Sequence, residues 1–149
     1  MTVMRVATFG HVFAEVAGIE VDGTDLPRFN AIVTRTLYQM LLAGQASAAT
    51  HRRYILEPDD LPITRALREN IRTFTGLGQR LELERILAQL ATYPPLDRIP
   101  ATETKAEFPG IIGGLTVAFA RTFAVLHPGV IRPQPEHWDT LRTVVEIYF

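Results

Sequence analysis

The sequence predicts an all-α fold in which two similar halves, residues 1–75 and 79–149, form one compact domain over residues 1–149. Apolar residues recur at the three- and four-residue spacing of helices through most of the chain. Each half places one long apolar helix between two shorter ones, with short extended segments between them. The plan repeats at an offset of about 76 residues, although few residues are identical between the halves. The aligned positions are His51 with His127 and Tyr54-Ile55 with Val130-Ile131.

A short helix is predicted to open the first half over Val6–Ala17, and Gly18 is placed to end it in a left-handed conformation. The apolar stripe of this helix consists of Phe9, Val12, Phe13 and Val16. The next residues, Ile19–Val21, have the pattern of a short extended segment, and Asp22-Gly23 predicts a turn after it.

A long helix follows and is the largest element of the first half. Asp25 is a favourable N-cap, Pro27 fits the first helical turn, and the apolar pattern continues to about Thr50. At 1.5 Å per residue the helix would be roughly 35–40 Å long, too long for its own neighbours to cover. Beyond it, Arg53–Leu56 is predicted to be extended, and Pro58–Asp60 is predicted to begin a third helix. The inward stripe of the long helix is Leu26, Phe29, Ile32, Val33, Leu37, Met40 and Leu41.

The second half repeats this order less clearly. A short helix is expected around Leu83–Leu90, and an extended segment is expected at Leu96–Ile99. A long helix is predicted over about Glu107–Leu126, and a final helix carries an apolar stripe from Trp138 to Tyr148. The inward residues of the second long helix are Phe108, Ile111, Ile112, Leu115, Phe119 and Phe123.

The two long helices are expected to bury each other. Each has apolar faces that the two short helices of its own half cannot hide, so a second half packed antiparallel is the stable solution. The long helices would then cross, and each loop would lie beside the opposite loop of the other half. Gly110, Gly113 and Gly114 are expected to let the second long helix approach the alanine-rich end of the first. Because one chain supplies both halves, the sequence predicts a monomer.

Composition and charge exclude several classes of protein. The chain has 15 basic and 16 acidic residues and a net charge of −1, whereas a dedicated nucleic-acid binder usually has a basic excess. The absence of cysteine excludes disulfides and thiolate metal sites. No uncharged run reaches the length of a membrane span. We therefore expect a cytoplasmic protein without membrane contact, with the nucleoid as a candidate location.

No motif in the chain points to catalysis, a cofactor or a metal. A glycine-rich phosphate loop, a nucleophile elbow and a Ser/His/Asp arrangement are all absent. The four histidines lack the spacing of metal-ligand motifs, and two of them, His51 and His127, are expected at helix C-termini. Asp59 and Asp60 are expected to cap a helix rather than to form a catalytic pair. The protein is therefore expected not to be an enzyme and to need no cofactor or metal.

The segment Ala48–Leu61 resembles the second loop of archaeal and eukaryotic histones. There, a basic residue leaves the long helix, a short strand follows, and an acidic residue opens the third helix. The whole chain resembles a bacterial family of unknown function that is built as a single-chain pair of histone folds and is related to archaeal histones. The resemblance implies two tandem helix–loop–long helix–loop–helix units in an intramolecular handshake pseudodimer, with a structural ion pair between Arg53 and Asp60. The matching stretches are Ala17-Gly18, Val21-Asp22, Glu57–Thr64, Tyr93–Asp97 and Val117–Arg121.

The resemblance also implies candidate DNA contacts, because the paired loops of histones face the phosphates. These candidates are Arg28, Arg52, Arg53 and Arg132. Strong binding is opposed by Tyr54 and Ile55, which replace a Lys and a Thr common in DNA-binding histones, and by Glu20 and Asp22 in the first loop. Two functions therefore stay open. One is a histone-like, nucleoid-associated protein in weak contact with double-stranded DNA; the other is a histone-fold module that binds another protein and not DNA.

Overall fold

The computed structural model describes residues 1–149 and is predominantly helical, which confirms the all-α prediction. Two strands of two residues each, β1 (Ile55–Leu56) and β2 (Ile99–Pro100), lie in connecting segments, as does a 3₁₀ turn at Pro58–Asp60. The α-helices are α1 (Val6–Ala17), α2 (Leu26–Thr50), α3 (Arg65–Gly76), α4 (Leu83–Leu90), α5 (Thr102–Ala106), α6 (Phe108–Leu126) and α7 (Pro135–Tyr148). The short helix α5 was not predicted from the sequence.

The third helix begins later than the sequence predicts. Pro58–Asp60 form a 3₁₀ turn, and α3 starts beyond it, with Thr64 as an N-cap whose hydroxyl accepts the amide of Leu67 at 3.1 Å. The physical reason is the proline at position 62. A residue that precedes proline is driven out of the helical region, and Leu61 accordingly has ψ 135°. The turn therefore cannot continue into α3.

Asp25 occupies the predicted N-cap position of α2 but makes no capping hydrogen bond to the helix. Its carboxylate instead accepts the indole Nε1–H of Trp138 at 2.9 Å and the amide of Asp22 at 3.0 Å. The side chain thus links α2 to α7. By contrast, Gly18 ends α1 in the predicted left-handed conformation, with φ 64°.

One apolar core runs through both halves of the chain. A single cluster of 26 buried apolar residues includes the predicted inward stripes of both α2 and α6. Its centre is aromatic, with neighbouring ring centroids 4.9–6.5 Å apart and mostly in edge-on or tilted arrangements that favour ring packing. The rings are Phe9, Phe13 and Phe29 from the first half and Phe123 and Trp138 from the second.

The loops of the two halves pair crosswise. β1, in the second loop of the first half, runs parallel to β2, in the first loop of the second half, with Ile55 opposite Ile99. At the other end, the amide of Glu20 donates to the carbonyl oxygen of Ile131 at 2.7 Å. The long helices α2 and α6 contact each other over only a short stretch, which includes Phe29 and Phe119. The helices therefore do not lie along each other as they would in an up-and-down bundle.

The glycines of α6 allow a close approach to α3, and the expectation that they face the alanine-rich end of α2 is wrong. A Cβ on Gly113 would overlap the ring of Phe74, and one on Gly114 would lie 2.5 Å from Ile71 Cγ1. The small-residue end of α2 has a different neighbour. Gly44 packs against the segment that follows α2. A Cβ added to Gly44 would lie 3.2 Å from Leu61 Cδ2.

The most apolar helical stretch is the centre of this core. Within Thr102–Leu126, an 18-residue window has the mean hydropathy, 1.5, of a membrane span, and 56% of that window is buried inside the protein. Burial of this kind is what the central helix of a folded core requires.

Candidate nucleic-acid interface

The crosswise pairing divides the four candidate arginines between two places. The Arg53 edge, residues 51–57 and 97–101, contains Arg52 and Arg53 beside the β1–β2 pair. The Arg132 edge, residues 18–25 and 127–135, contains Arg132 and has Arg28 of α2 beside it. The structure therefore brings the candidates together in pairs and not in one cluster.

Arg53 and Asp60 form a bidentate ion pair, with both guanidinium–carboxylate distances at 2.7 Å. The carboxylate of Asp60 also accepts the amide of Glu57 and the hydroxyl of Ser47, each at 2.8 Å, and its side chain is only 1% exposed. The guanidinium of Arg53 lowers the pKa of Asp60, and the amide and hydroxyl donors add to this effect. Arg53 is thus engaged in holding its own loop.

Arg52 differs from Arg53 in conformation and in partners. It follows the C-cap of α2 with φ 55°, the only residue other than glycine with a positive φ. Its amide donates to the carbonyl oxygen of Ala49 at 3.0 Å, so the left-handed conformation closes the helix end. The side chain is exposed and forms no ion pair. Its guanidinium is therefore free to bind an anion.

Arg98 joins the Arg53 edge, although the sequence did not single it out. Its Nε–H donates to the carbonyl oxygen of Arg53 at 3.1 Å, and its guanidinium lies 6.0 Å from the ring centroid of Tyr54. The sequence could have identified Arg98 as a candidate, because the predicted crosswise pairing places the Leu96–Ile99 segment beside Arg53–Leu56. Three arginines therefore share this edge.

Exposed apolar side chains lie among these arginines. Tyr54 is 61% exposed, Ile55 is 41% exposed and Ile99 is 52% exposed. The edge also carries acidic side chains at Asp97 and Glu57. Its surface is consequently mixed, and not uniformly basic.

The Arg132 edge is a cleft of about 500 Å³ in which acids outnumber the arginines. Arg132 pairs with Glu20, with 3.2 Å between Nε and Oε2, whereas Arg28 forms no ion pair. The hydroxyl and amide of Thr24 both bond to Asp22 and lower the pKa of that exposed carboxyl. The lowered pKa keeps Asp22 ionised at neutral pH, and its carboxylate shares this cleft with the two guanidinium groups.

The length of α2 sets the distance between the two edges. Arg28 stands near the start of this helix and Arg52 just beyond its end, 24 positions later (52 minus 28). At 1.5 Å per residue, the helical stretch from Arg28 to Thr50 is roughly 33 Å long, and Arg52 lies two positions beyond it.

Three of the histidines lie near the ends of helices, and Asp59 and Asp60 lie in the 3₁₀ turn. His51 and His127 are the C-cap residues of α2 and α6, as the sequence suggests. The rings of His127 and His137 lie 4.6 Å apart, and His137 Nδ1 is 2.9 Å from the amide nitrogen of Gln134. No group of three or more His, Asp or Glu side chains is arranged to hold a metal ion.

Comparison with known proteins identifies a family and solved structures with a similar fold. A family model described as a domain of unknown function, DUF1931, matches residues 9–146. A protein from Thermus thermophilus, whose crystal structure is known, has 33% sequence identity to this chain. The superposition covers 99% of this chain and 100% of the Thermus chain, with a TM-score of 0.95. The structure of protein AQ328 from Aquifex aeolicus is 22% identical, covers 100% of both chains and gives a TM-score of 0.81, which shows a shared fold.

A curated relative, an uncharacterized protein from Aquifex aeolicus, is 25% identical over 111 residues. The match covers 74% of this chain and 64% of the relative, so the chain spans less than two thirds of that protein's length.

Proposed function

The chain belongs to the DUF1931 family of unknown function, and we propose that it is a non-enzymatic, histone-like protein that contacts duplex DNA weakly through its two loop edges. The proposal has two parts. The first concerns the fold, a single-chain histone pseudodimer. The second concerns the arginines that this fold places at its ends.

Crosswise loop pairing supports the histone-fold part of the proposal. In a handshake pair, the first loop of each unit lies beside the second loop of the other, with the long helices crossing between them. Both contacts have counterparts here, the parallel β1–β2 pair and the 2.7 Å hydrogen bond between Glu20 and Ile131. The Arg53–Asp60 pair occupies the position that the resemblance assigns to the loop clamp.

The spacing of the two edges is the observation that carries the DNA-binding part. One helical turn of B-DNA repeats every 34–36 Å or so. Roughly 33 Å of α2 lies between Arg28 and Thr50, and Arg52 is two positions beyond, so the backbones of the two arginines are separated by a similar distance. We propose that the two edges contact phosphates about one turn apart on a duplex. Sequence-independent contact of this kind needs only phosphate ligands at the correct interval.

The expected contact is weak because few of the arginines at the two edges are free. Arg53 is held by Asp60, Arg132 is held by Glu20, and the net charge of the chain is −1. Each phosphate that a protein neutralises contributes about 0.9 to the slope of log affinity against log salt concentration. With two or three free guanidinium groups, the slope is expected to be only about 2 to 3.

Fluorescence anisotropy of a labelled duplex of about three helical turns, titrated at several salt concentrations, tests the proposal. The double variant Arg28→Ala/Arg52→Ala should bind less tightly at low salt and lower the salt slope by about 2. A matched control, Arg68→Ala/Arg72→Ala, removes the same charge from two exposed arginines of α3 that form no ion pair and lie outside both edges. Equal losses in the two double variants, or no wild-type binding at the lowest salt, would reject the proposal.

A second candidate function is a histone-fold module for protein–protein interaction, and the exposed apolar residues of the Arg53 edge favour it. Tyr54 and Ile99 are each more than half exposed there. Photo-crosslinking in cells, with the crosslinking amino acid placed at position 54, tests this candidate. The control carries the same amino acid in place of Val125, which is 79% exposed on α6. A discrete protein adduct at position 54 alone, together with an absence of DNA binding, would favour the module. Adducts at neither position would exclude it.

A further inference from the structure

The Tyr93–Asp97 segment is held beside α2 by polar contacts. The hydroxyl of Tyr38 donates to the carbonyl oxygen of Pro94 at 2.8 Å, and the Tyr38 and Tyr93 rings stack with centroids 4.7 Å apart. Further along, Gln45 Oε1 accepts the amides of Asp97 and Arg98 at 2.6 and 3.0 Å. Tyr38 and Gln45 lie on one face of α2 because they are seven positions, or about two turns, apart. The segment is thereby fixed at both ends.

An apolar cleft of about 370 Å³ lies beneath this fixed segment. Its volume is in the lower part of the range of about 300–1,000 Å³ that small-molecule sites occupy. Two consecutive prolines restrict the backbone of the rim, so the cleft is formed before any ligand enters. The apolar lining includes Leu41, Leu87, Leu90, Leu96 and Phe108.

The only lysine of the chain lines the same cleft. Lys105 is partly buried and forms no ion pair with any carboxylate, although both of its neighbours two positions away, Glu103 and Glu107, are acidic. Its ammonium group also has no hydrogen-bond acceptor within the protein. An unpaired cation at the side of an apolar cleft is complementary to a ligand that carries one negative charge.

We propose that this cleft binds a small molecule with an apolar body and a single carboxylate group. The carboxylate pairs with Lys105, and a short alkyl chain or one aromatic ring lies against Leu41, Leu87 and Leu90. The site is separate from the unpaired arginines of the two loop edges, so it stands or falls independently of DNA binding.

Isothermal titration calorimetry with three eight-carbon probes tests the proposal: octanoate, octanamide and octylamine. Octanoate should bind with saturation, and octanamide should bind about threefold more weakly because it lacks the charge that pairs with a partly exposed lysine. The cationic octylamine should bind most weakly of the three. Lys105→Gln should reduce octanoate affinity to the level of octanamide and leave octanamide affinity unchanged.

Two further variants locate the probe. Ala91, at the exposed rim, can be changed to Trp, which should fill the cleft and abolish binding of octanoate and octanamide alike. Arg142→Gln is the matched charge control, because Arg142 lines the neighbouring groove on the other side of Tyr38 and Tyr93. It should leave octanoate affinity unchanged. Equal affinities for the acid and the amide, no effect of Lys105→Gln, unchanged binding to Ala91→Trp, or no saturable binding of any probe would each overturn the proposal.

Discussion

At the scale of single residues, Asp60 shows how one carboxylate organises a loop. It accepts hydrogen bonds from the side chains of Arg53 and Ser47 and from the amide of Glu57. A buried carboxylate is costly unless its charge and lone pairs are satisfied, and here both conditions are met. The same contacts turn Arg53 toward the protein, which leaves Arg52 as the free guanidinium group of the pair.

The stability that Asp60 provides should depend on pH. Its folded-state pKa is lowered below the usual value of about 3.9, so the contribution is fully present above that value and is lost as the pH falls toward the folded-state pKa. Asp60→Asn should lower the free energy of unfolding by about 2–3 kcal/mol at neutral pH, because Arg53 loses its bidentate partner and keeps only Glu57, at 3.4 Å, as a counter-ion. Urea denaturation from pH 7 to pH 2 or so should show the wild type and the variant converging below about pH 4. A constant difference across that range would contradict this account of Asp60.

Arg52 keeps a left-handed backbone conformation that glycine adopts at much lower cost. For an L-residue this conformation costs about 1–2 kcal/mol, and glycine avoids most of that cost. Arg52→Gly should therefore raise the free energy of unfolding by about 1 kcal/mol while it weakens DNA binding as much as Arg52→Ala does. Denaturation and anisotropy measurements on both variants separate the two effects. A destabilised Arg52→Gly protein would show that the arginine side chain itself holds the helix end.

At the scale of elements, amphipathic periodicity predicted every α-helix except α5, but it did not identify all the packing neighbours of these helices. The stripes of α2 and α6 were predicted correctly because burial on one face leaves a 3.6-residue period in the sequence. The glycines of α6 indicated a close approach without identifying the partner, which is α3. Choosing between α2 and α3 needs the three-dimensional path of the chain, and no local pattern encodes it.

Two glycine-to-alanine substitutions, one at the α3–α6 contact and one in an open position of α1, should have opposite effects on stability. Gly113→Ala should destabilise the protein by about 1–3 kcal/mol, because its methyl group would overlap the ring of Phe74. Gly10→Ala in α1 should instead stabilise by about 0.5–1 kcal/mol, since no atom lies within 4 Å of the added Cβ and helices favour alanine. Thermal denaturation of both variants checks these signs. Similar shifts in melting temperature would show that the ring of Phe74 moves aside freely.

At the scale of the whole molecule, the two halves share one core and two crosswise loop contacts. The order of short and long helices was visible in the sequence, because each amphipathic helix leaves a periodic apolar pattern. The cleft under Tyr93–Asp97 was not visible. It depends on Tyr38 and Gln45 holding a segment that lies about 50 positions further along the chain, and such tertiary contacts leave no periodic signal.

Because the core is shared, we expect a monomer that unfolds in one cooperative transition. Neither half can bury the apolar face of its long helix alone, so a fragment of residues 1–75 should remain largely unfolded. Scanning calorimetry should give equal van't Hoff and calorimetric enthalpies, and sedimentation should give the mass of one chain. Two separate transitions, an obligate dimer, or a folded fragment 1–75 would contradict this expectation.

The hydrogen bond between Trp138 and Asp25 has a consequence for folding kinetics. It joins residues that are 113 positions apart, and it involves the only tryptophan of the chain. Indole emission should therefore report the step in which α7 packs against the start of α2. Contacts of such long sequence separation are reached slowly, because most of the chain must be closed into a loop first. Stopped-flow refolding should accordingly show a tryptophan phase in the millisecond range or slower, unlike the microsecond folding of helical proteins with local contacts.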